Sequence, residues 1–248
     1  LLKSSEIRIY NYDDYHLKSS YKKLAKGIWV SLDYKSKSNE DCDFWLDEKG
    51  YLVEKGITLF HSDSLQLKGK HNKINLLLAT AAARKIGITG RNIKNSLKTY
   101  RQLPHRLETI YNSENLEVIN DSKATNFDSS FSGINALDKG QVLIIGGRMK
   151  EGDSKLWSSI IIEKCKGVFL YGESSKELKK ILLKAGFLED IFIHSELKDL
   201  IPVAIKYLKK RKLKILLFSP ACSSFDQFKD YEERGNYFKF LIKKFLLT

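Results

Sequence analysis

Polar side chains that could bind a ligand are concentrated in three short stretches of this 248-residue chain, residues 103–108, 119–126 and 219–228. These stretches read as loops that follow apolar, strand-like runs. In α/β proteins such loops are where ligands are held. Packing does not require polar groups at these places, so we take them as candidate binding positions.

The stretch at 119–126 combines groups suited to an anionic ligand. Asp121, at a predicted strand end, could accept hydrogen bonds from a ribose, and the alternative of equal weight is a helix N-cap. Lys123, Thr125 and Asn126 add a cation, a hydroxyl and an amide near a predicted helix start, where an anion is favoured.

Two further loops could contribute to the same site. Lys150, just beyond the glycine pair at 146–147, could reach a carboxylate or phosphate, and a surface lysine is the alternative. Ser223 and Ser224 could hold an anion or cap a helix. Cys222 is not expected to be a nucleophile, because no His or acidic residue lies at a suitable spacing. Since the carboxyl ends of parallel strands share one edge of a sheet, we expect these loops to converge with 119–126.

Three other residues are candidates with plain alternatives. Arg106 follows Pro104 in a stiff loop that suits phosphate or ribose recognition, or a salt bridge. Asn72 lies just before a predicted helix, where it could contact a base or cap the helix. Tyr231 opens the last predicted helix, where core packing is the alternative.

Hydrophobic periodicity predicts the elements that carry these loops. From residue 107 onward we expect a hairpin (107–111 and 116–120), a helix (127–137), and strands at 142–145, 167–171, 190–194 and 214–218, separated by helices. The helix after 190–194 tolerates Pro202 only if Asp199 caps it and Pro202 falls in its first turn. Strands that alternate with helices predict an α/β fold with a Rossmann-like, mostly parallel sheet.

The first hundred residues follow a different pattern. We expect strands at 7–10 and 28–33, a hairpin over 43–54 that turns at 49–50, a helix at 74–86 that is buried nearly all round, and a second helix at 90–100. This segment lacks a full alternating core, so we expect the rear part of a domain, with a boundary near residues 101–102.

Composition narrows the class of protein. The net charge is +13, from 43 Lys and Arg against 30 Asp and Glu, which suits small anions. Nucleic-acid binding is less favoured, because the lysines lie on helix outsides without interleaved aromatic residues. We expect no signal peptide, no transmembrane helix and no membrane partner. Cys42, Cys165 and Cys222 predict buried free thiols in a reduced cytoplasm and no metal site. Neither G-x-x-x-x-G-K-[ST] nor G-x-G-x-x-G occurs.

Several motifs together resemble one family. They are Gly69-Lys-His-Asn72 before an Ala-rich helix, Leu103-Pro-His-Arg106, Asn120-Asp-Ser-Lys-Ala-Thr-Asn126, Gly146-Gly147-x-x-Lys150, and the stretch from Ser219 to Gly235. In this order the chain resembles the Mur ligases, and in particular the members that add D-glutamate to UDP-N-acetylmuramoyl-L-alanine. The resemblance implies an ATP-dependent ligase of peptidoglycan precursor synthesis that works through an acyl phosphate, as a monomer in the bacterial cytoplasm.

The resemblance also implies domains and cofactors. Residues 1–102 would be the rear of a central P-loop-type ATP-binding domain, and 103–248 the complete C-terminal domain that binds the amino acid. ATP and Mg²⁺ are the implied cofactors, with their main phosphate and metal ligands outside this chain. We therefore expect this chain alone to be inactive.

The residue roles that the resemblance implies fall into two groups. Asn72 would meet the adenine, Arg106 and Asp121 the ribose and phosphates, and Lys123, a candidate catalytic residue, would lie near the phosphates. The two carboxylates of D-glutamate would be bound by Thr125, Lys150, Ser224 and the backbone at Tyr231. The alternatives are a sister ligase (another Mur ligase or a folylpolyglutamate synthase) and a basic Rossmann-like binding module for nucleic acid or anionic partners.

Overall fold

A computed structural model of the protein describes residues 5–20, 23–32, 42–67, 69–100 and 103–246. The chain forms two compact units, Leu1–Arg101 and Gln102–Thr248. Each unit has its own sheet and its own hydrophobic core, and each is described by itself.

The first unit is built on a five-stranded mixed sheet with the strand order β1-β2-β3-β4-β5. Its elements are β1 (Ile9–Asn11), α1 (Tyr15–Ser19), β2 (Ile28–Ser31), β3 (Phe44–Leu46), β4 (Tyr51–Glu54), β5 (Ile57–His61), a 3₁₀ turn (Ser62–Ser64), α2 (Lys70–Lys85) and α3 (Gly90–Leu97). The predicted β3–β4 hairpin is confirmed, since these strands pair antiparallel. Strand β5 was not predicted, because only Phe60 of its residues is fully buried and Ile57 is 67% exposed.

Helix α2 corrects one prediction about burial. It begins at Lys70 and buries only one face, which consists of Leu76, Leu77, Thr80 and Ala81. The prediction of burial nearly all round was wrong. Few charged residues mark the opposite side of the helix, but that side still faces solvent, as at the exposed Ala82. The buried face packs with Val30, Phe44 and Leu52 in the core of the first unit.

The second unit is a six-stranded sheet in the order β10-β9-β8-β11-β7-β6. Its elements are β6 (Glu108–Ser113), β7 (Leu116–Asn120), α4 (Phe127–Asn135), β8 (Gln141–Gly146), α5 (Lys155–Lys164), β9 (Cys165–Tyr171), α6 (Ser175–Ala185), β10 (Ile191–His194), α7 (Leu197–Arg211), β11 (Ile215–Ala221) and α8 (Tyr231–Leu246). All neighbours pair parallel except β6, which pairs antiparallel with β7. The Rossmann-like, mostly parallel sheet is confirmed.

The helices of the second unit cover both faces of this sheet. Helices α4, α5 and α6 pack on one face, where Trp157 and Leu182 are buried. Helices α7 and α8 pack on the other face, where Leu200 and Phe238 are buried. The central strands are therefore apolar on both sides, which is why they appear in the sequence as continuous apolar runs.

Helix α7 corrects the prediction about its start. It begins at Leu197 after Glu196, so Asp199 lies in the first turn and is not the cap. Pro202 therefore lies inside the helix and not in its first turn. Its ring removes one backbone donor, and five fully buried residues from Leu200 to Leu208 hold the helix on the sheet in spite of this: Leu200, Ile201, Ala204, Ile205 and Leu208.

Candidate functional site

The structure brings the predicted loops together at the carboxyl edge of the second sheet. Strands β7, β8 and β11 end there at Asn120, Gly146 and Ala221, with β11 between the other two. The helix that follows β8 packs on one face and the helix that follows β11 on the other. Adjacent parallel strands whose connections leave to opposite faces open a crevice at their carboxyl ends, which is where α/β proteins bind ligands.

Backbone hydrogen bonds join the loops after β8 and β11. The Arg148 amide donates to the Ser223 carbonyl at 3.0 Å, and the Ser223 amide donates to the Arg148 carbonyl at 2.9 Å. Gly147 makes this approach possible, because a Cβ there would overlap the Ser223 carbonyl, and a Cβ at Gly146 would overlap the Tyr171 carbonyl of the neighbouring strand β9. Lys150 and Ser224 are thereby fixed on neighbouring loops.

A fully buried arginine joins the loops after β7 and β11 to helix α8. Arg234 donates through Nε to Ser122 Oγ (3.0 Å), through one terminal nitrogen to the Ser122 carbonyl (2.7 Å) and through the other to the Cys222 carbonyl (2.9 Å). Sequence reasoning gave Arg234 no role. A signal was available, since Arg234 lies one helical turn before Phe238 and therefore on the same face of α8 as this large apolar residue.

His105 fastens the 103–108 loop to the same edge. Its Nδ1 accepts from Asn120 Nδ2 at 2.9 Å, and its carbonyl accepts from the Lys123 amide at 3.0 Å. Burial lowers the pKa of His105, so the neutral ring is favoured as the acceptor. Gly235 allows the ring to lie against α8, because a Cβ there would overlap it. His105 thus holds the loop that carries Arg106.

Asp121 lies beneath this edge and is only 7% exposed. Its two oxygens accept from the Leu107 amide at 3.1 Å and from Ser219 Oγ at 2.8 Å. Burial raises its pKa to about 7, against the opposing effects of these bonds and of the Arg106 charge. Asp121 is not the helix cap, since Asn126 accepts from the Ser129 amide at 2.8 Å and caps α4. The ribose role of Asp121 stays a prediction.

The predicted cations Lys123 and Arg106 lie close to Tyr231. Lys123 Nζ is 3.6 Å from the centre of the Tyr231 ring. Arg106 is exposed and close enough to act electrostatically on both Asp121 and Tyr231. The Tyr231 carbonyl accepts from Ser122 Oγ at 2.8 Å. Tyr231 is the first residue of α8, which Asp230 caps by accepting from the Glu233 amide at 2.7 Å.

The remaining predicted residues of the second unit border the same crevice. Thr125 is half-buried just before α4, and Lys150 is exposed. The Lys150 loop runs beside the start of α4, since a Cβ at Gly152 would lie 3.5 Å from the Phe127 ring. Ser224 is buried next to the bridge with Arg148, and its carbonyl accepts from two downstream amides. The edge therefore carries cations and hydroxyls, which together suit an anionic ligand.

Asn72 belongs to the first unit, in the first turn of α2. The cap position is Gly69, with φ 100°, so neither His71 nor Asn72 is the cap. The predicted contact of Asn72 with a base stays a prediction.

Cysteines and acidic residues do not add a metal centre to the described part of the chain. Cys42, Cys165 and Cys222 are buried free thiols. Over the described ranges, no cluster of three or more His, Cys, Asp or Glu side chains is arranged to hold a metal ion. Over the same ranges, no helix is both long and apolar enough to span a membrane.

Sequence comparisons identify close relatives. The UDP-N-acetylmuramoylalanine–D-glutamate ligase of Prochlorococcus marinus strain MIT 9515 is 52% identical over 98% of this chain and 51% of the relative. The enzyme of the same name from strain MIT 9312 is also 52% identical, over 98% of this chain and 52% of the relative. The chain thus spans about half the length of the curated relatives it matches. No family model matches the sequence.

A solved structure shares the fold. UDP-N-acetylmuramate-alanine ligase MurC from Thermotoga maritima superposes with a TM-score of 0.64 at 14% identity, over 98% of this chain and 53% of that one. At this identity the likeness concerns the fold alone. The sequence relatives thus show that nearly the whole of this chain is similar to part of the UDP-N-acetylmuramoylalanine–D-glutamate ligases, and the solved structure shows that the fold is shared with a Mur ligase.

Proposed function

We propose that this chain is part of a ligase that adds D-glutamate to UDP-N-acetylmuramoyl-L-alanine in peptidoglycan precursor synthesis, with ATP as the energy source and an acyl phosphate as the intermediate. The observation that carries the proposal is the crevice beside β11, where bridged loops place cations and hydroxyls around one edge. The names of the sequence relatives supply the reaction.

D-glutamate has two carboxylates that need cations and donors, and an amine that must stay free to attack. We assign the carboxylates to Lys150, Thr125, Ser224 and the amide of Tyr231. Each of these groups can donate a hydrogen bond or carries a positive charge. None of them is a carboxylate that would hold the amine of D-glutamate in its charged form. Fixing the amine beside the activated carboxyl carbon turns a bimolecular attack into an effectively unimolecular one.

The nucleotide side of the crevice is assigned to Arg106, Asp121 and Lys123. In the first unit, Asn72 is assigned to contact with an adenine. Arg106 and Lys123 would stabilise negative charge on the phosphates as phosphate leaves. ATP with Mg²⁺ supplies the activation of the carboxylate. By the resemblance to the Mur ligases, we place the main phosphate and metal ligands outside this chain, and we expect this chain alone to release no phosphate because it lacks the G-x-x-x-x-G-K-[ST] loop.

A binding titration of the 248-residue chain tests the amino-acid site. We expect D-glutamate to bind more tightly than L-glutamate and Lys150→Ala to weaken D-glutamate binding by about tenfold to a hundredfold, because a charge-assisted hydrogen bond contributes about 1.5–3 kcal/mol. Lys184→Ala, at an exposed lysine of α6, is the matched control and should bind as the parent chain does. Equal D-glutamate binding by the parent chain, Lys150→Ala and Lys184→Ala would contradict the assignment of Lys150 to this site.

Phosphate release tests the reaction. The whole protein that contains this chain should release phosphate from ATP only with D-glutamate and the UDP-sugar, and Lys150→Ala in it should raise the KM for D-glutamate more than it lowers kcat. Preference for another amino acid would indicate a sister ligase. Salt-dependent binding to nucleic acid without any response to D-glutamate would indicate the basic binding module instead.

The oligomeric state and the cellular compartment are also proposals. We propose a monomer that works in the bacterial cytoplasm, where its nucleotide substrates are made. Sedimentation at several protein concentrations tests the oligomeric state, because a self-associating protein gains mass as its concentration rises.

A further inference from the structure

A second cavity lies at the amino edge of the second sheet, away from the candidate site. It has a volume of about 490 Å³, which is within the range of about 300–1,000 Å³ for small-molecule sites. It is formed by the β6–β7 hairpin, the end of α7 with the turn into β11, and the end of α8. Strands of five to seven residues separate the two edges, a distance of roughly 20 Å.

The wall of this cavity is apolar. Tyr111, Leu116, Leu208 and Leu213 contribute to it. Phe245 also lines it and is 41% exposed, although most large apolar side chains of this unit are buried. An apolar concavity that remains open to solvent on a folded domain is typical of a binding site.

Its rim is basic. Lys209, Lys212 and Lys214 line the cavity and are exposed, and no Asp or Glu lines it. Among the described residues, none of these three side chains forms an ion pair.

One structural explanation for these lysines is that they offset helix dipoles. Helices α7 and α8 both end at this edge, and each carboxyl end contributes about half a negative charge. Three lysines exceed that by about two positive charges. Lys212 is the C-cap residue of α7 and can offset its dipole, whereas Lys214 lies beyond the helix and is not accounted for in this way.

We propose that this cavity binds a small amphipathic anion, with its hydrocarbon part against Phe245 and Leu208 and its carboxylate or phosphate among Lys209, Lys212 and Lys214. The occupant is a single dissolved amphiphile, because the cavity is bounded on three sides and has the volume of a small-molecule site. The site is independent of the proposed ligase function, since none of its residues belongs to the crevice.

Calorimetric titration with decanoate, below its micelle concentration, tests the proposal on the 248-residue chain. We expect saturable binding at one site, with decanol and decyltrimethylammonium at least about tenfold weaker, since neither offers an anion to the lysines. Amide NMR shifts should concentrate at residues 111–116, 208–214 and 245–246.

Charge-matched variants locate the site. The triple change Lys209→Glu, Lys212→Glu and Lys214→Glu should weaken decanoate binding by about tenfold or more. The same change at Lys176, Lys180 and Lys184, which are exposed on the opposite face of the sheet, should leave it within about twofold. Phe245→Ala should weaken decanoate and decanol alike, which identifies the apolar wall.

Three results would overturn the proposal. Decanol that binds as tightly as decanoate would remove the role of the lysines. Equal effects of the two triple variants would show a general effect of net charge. Binding only to vesicles that contain anionic lipid, with no binding of free decanoate, would identify a membrane-surface contact instead.

Discussion

Asp121→Asn isolates the energetic consequence of burying a carboxyl group beneath the candidate site. The amide can keep both contacts of the aspartate, because Asn Oδ1 accepts from the Leu107 amide and Nδ2 can donate to Ser219 Oγ. The substitution therefore removes the ionisation and little else. We expect the variant to be more stable than the parent chain at pH 8 and equally stable at pH 4.

The size of the effect follows from the pKa. The Asp121 pKa rises from 3.8 to about 7 on folding, and each unit corresponds to about 1.4 kcal/mol. Since the folded-state pKa is the higher one, the folded chain holds the proton between pH 4 and 7 while the unfolded chain releases it. Stability from this group is complete below that window and is lost as the pH rises through it. Asp121→Asn should then gain up to about 4 kcal/mol at pH 8.

Urea unfolding at pH 4, 5, 6, 7 and 8 measures this difference. The chain has three tryptophans, and Trp157 is the one in the second unit, where it is buried. Replacing Trp29 and Trp45 by Phe in both proteins makes the fluorescence report on that unit alone. The two-unit architecture makes such a local probe necessary, because a whole-chain signal would mix two transitions.

The pH dependence of the difference in unfolding free energy between the parent chain and Asp121→Asn shows whether the Asp121 pKa is raised. Other titrating groups are common to both proteins and cancel. A stability difference that stays constant from pH 4 to pH 8, or a variant that is less stable at pH 8, would refute the assignment of a raised pKa to Asp121.

Three further predictions concern the groups around this edge. Gly235→Ala should lower the stability of the second unit by about 2–3 kcal/mol, because the added Cβ would overlap the His105 ring. Combining it with His105→Ala should recover part of this loss in thermal melts, and no recovery would contradict the contact. Arg234→Met should destabilise by about 3 kcal/mol in urea unfolding, because the Ser122 and Cys222 carbonyls lose their buried donors, and an unchanged midpoint would contradict the network. Burial raises the pKa of the Cys222 thiol to about 12, so a disulfide reagent at pH 8 should modify it only in denaturant, and rapid modification of the folded chain would contradict its inertness.

The strands of the second sheet could be predicted because burial on both faces leaves a local signature. In β8 every residue from Gln141 to Gly146 is buried, and five of these six positions are apolar or glycine. The loops could be predicted for the same reason, since polar residues interrupt such runs abruptly. Helix starts were less predictable, because Asp199 is a strong capping residue in isolation, yet packing of Leu197 and Leu200 on the sheet sets the start of α7.

The supporting network of the site could not be predicted in the same way. Asn120 donates to His105, and Arg234 donates to Ser122, between residues that are far apart in sequence. Such pairs leave no periodic pattern in a single chain. The sequence therefore indicated which residues are polar at the edge, and the structure separates those that hold the loops, such as Arg234 and His105, from those that are exposed on them, such as Lys150.

The position of β11 has a consequence for how the second unit is made. This strand pairs with β7 on one side and β8 on the other, yet among the described strands of the second unit it is synthesised last. During translation β7 and β8 cannot form their final sheet, because the strand that belongs between them does not yet exist. Long-range parallel pairing of this kind is slow to form. The crevice beside β11 therefore appears only when the carboxyl-terminal strand has inserted, so a ribosome-bound chain that stops before residue 215 carries every predicted loop except 219–228 and still has no binding site.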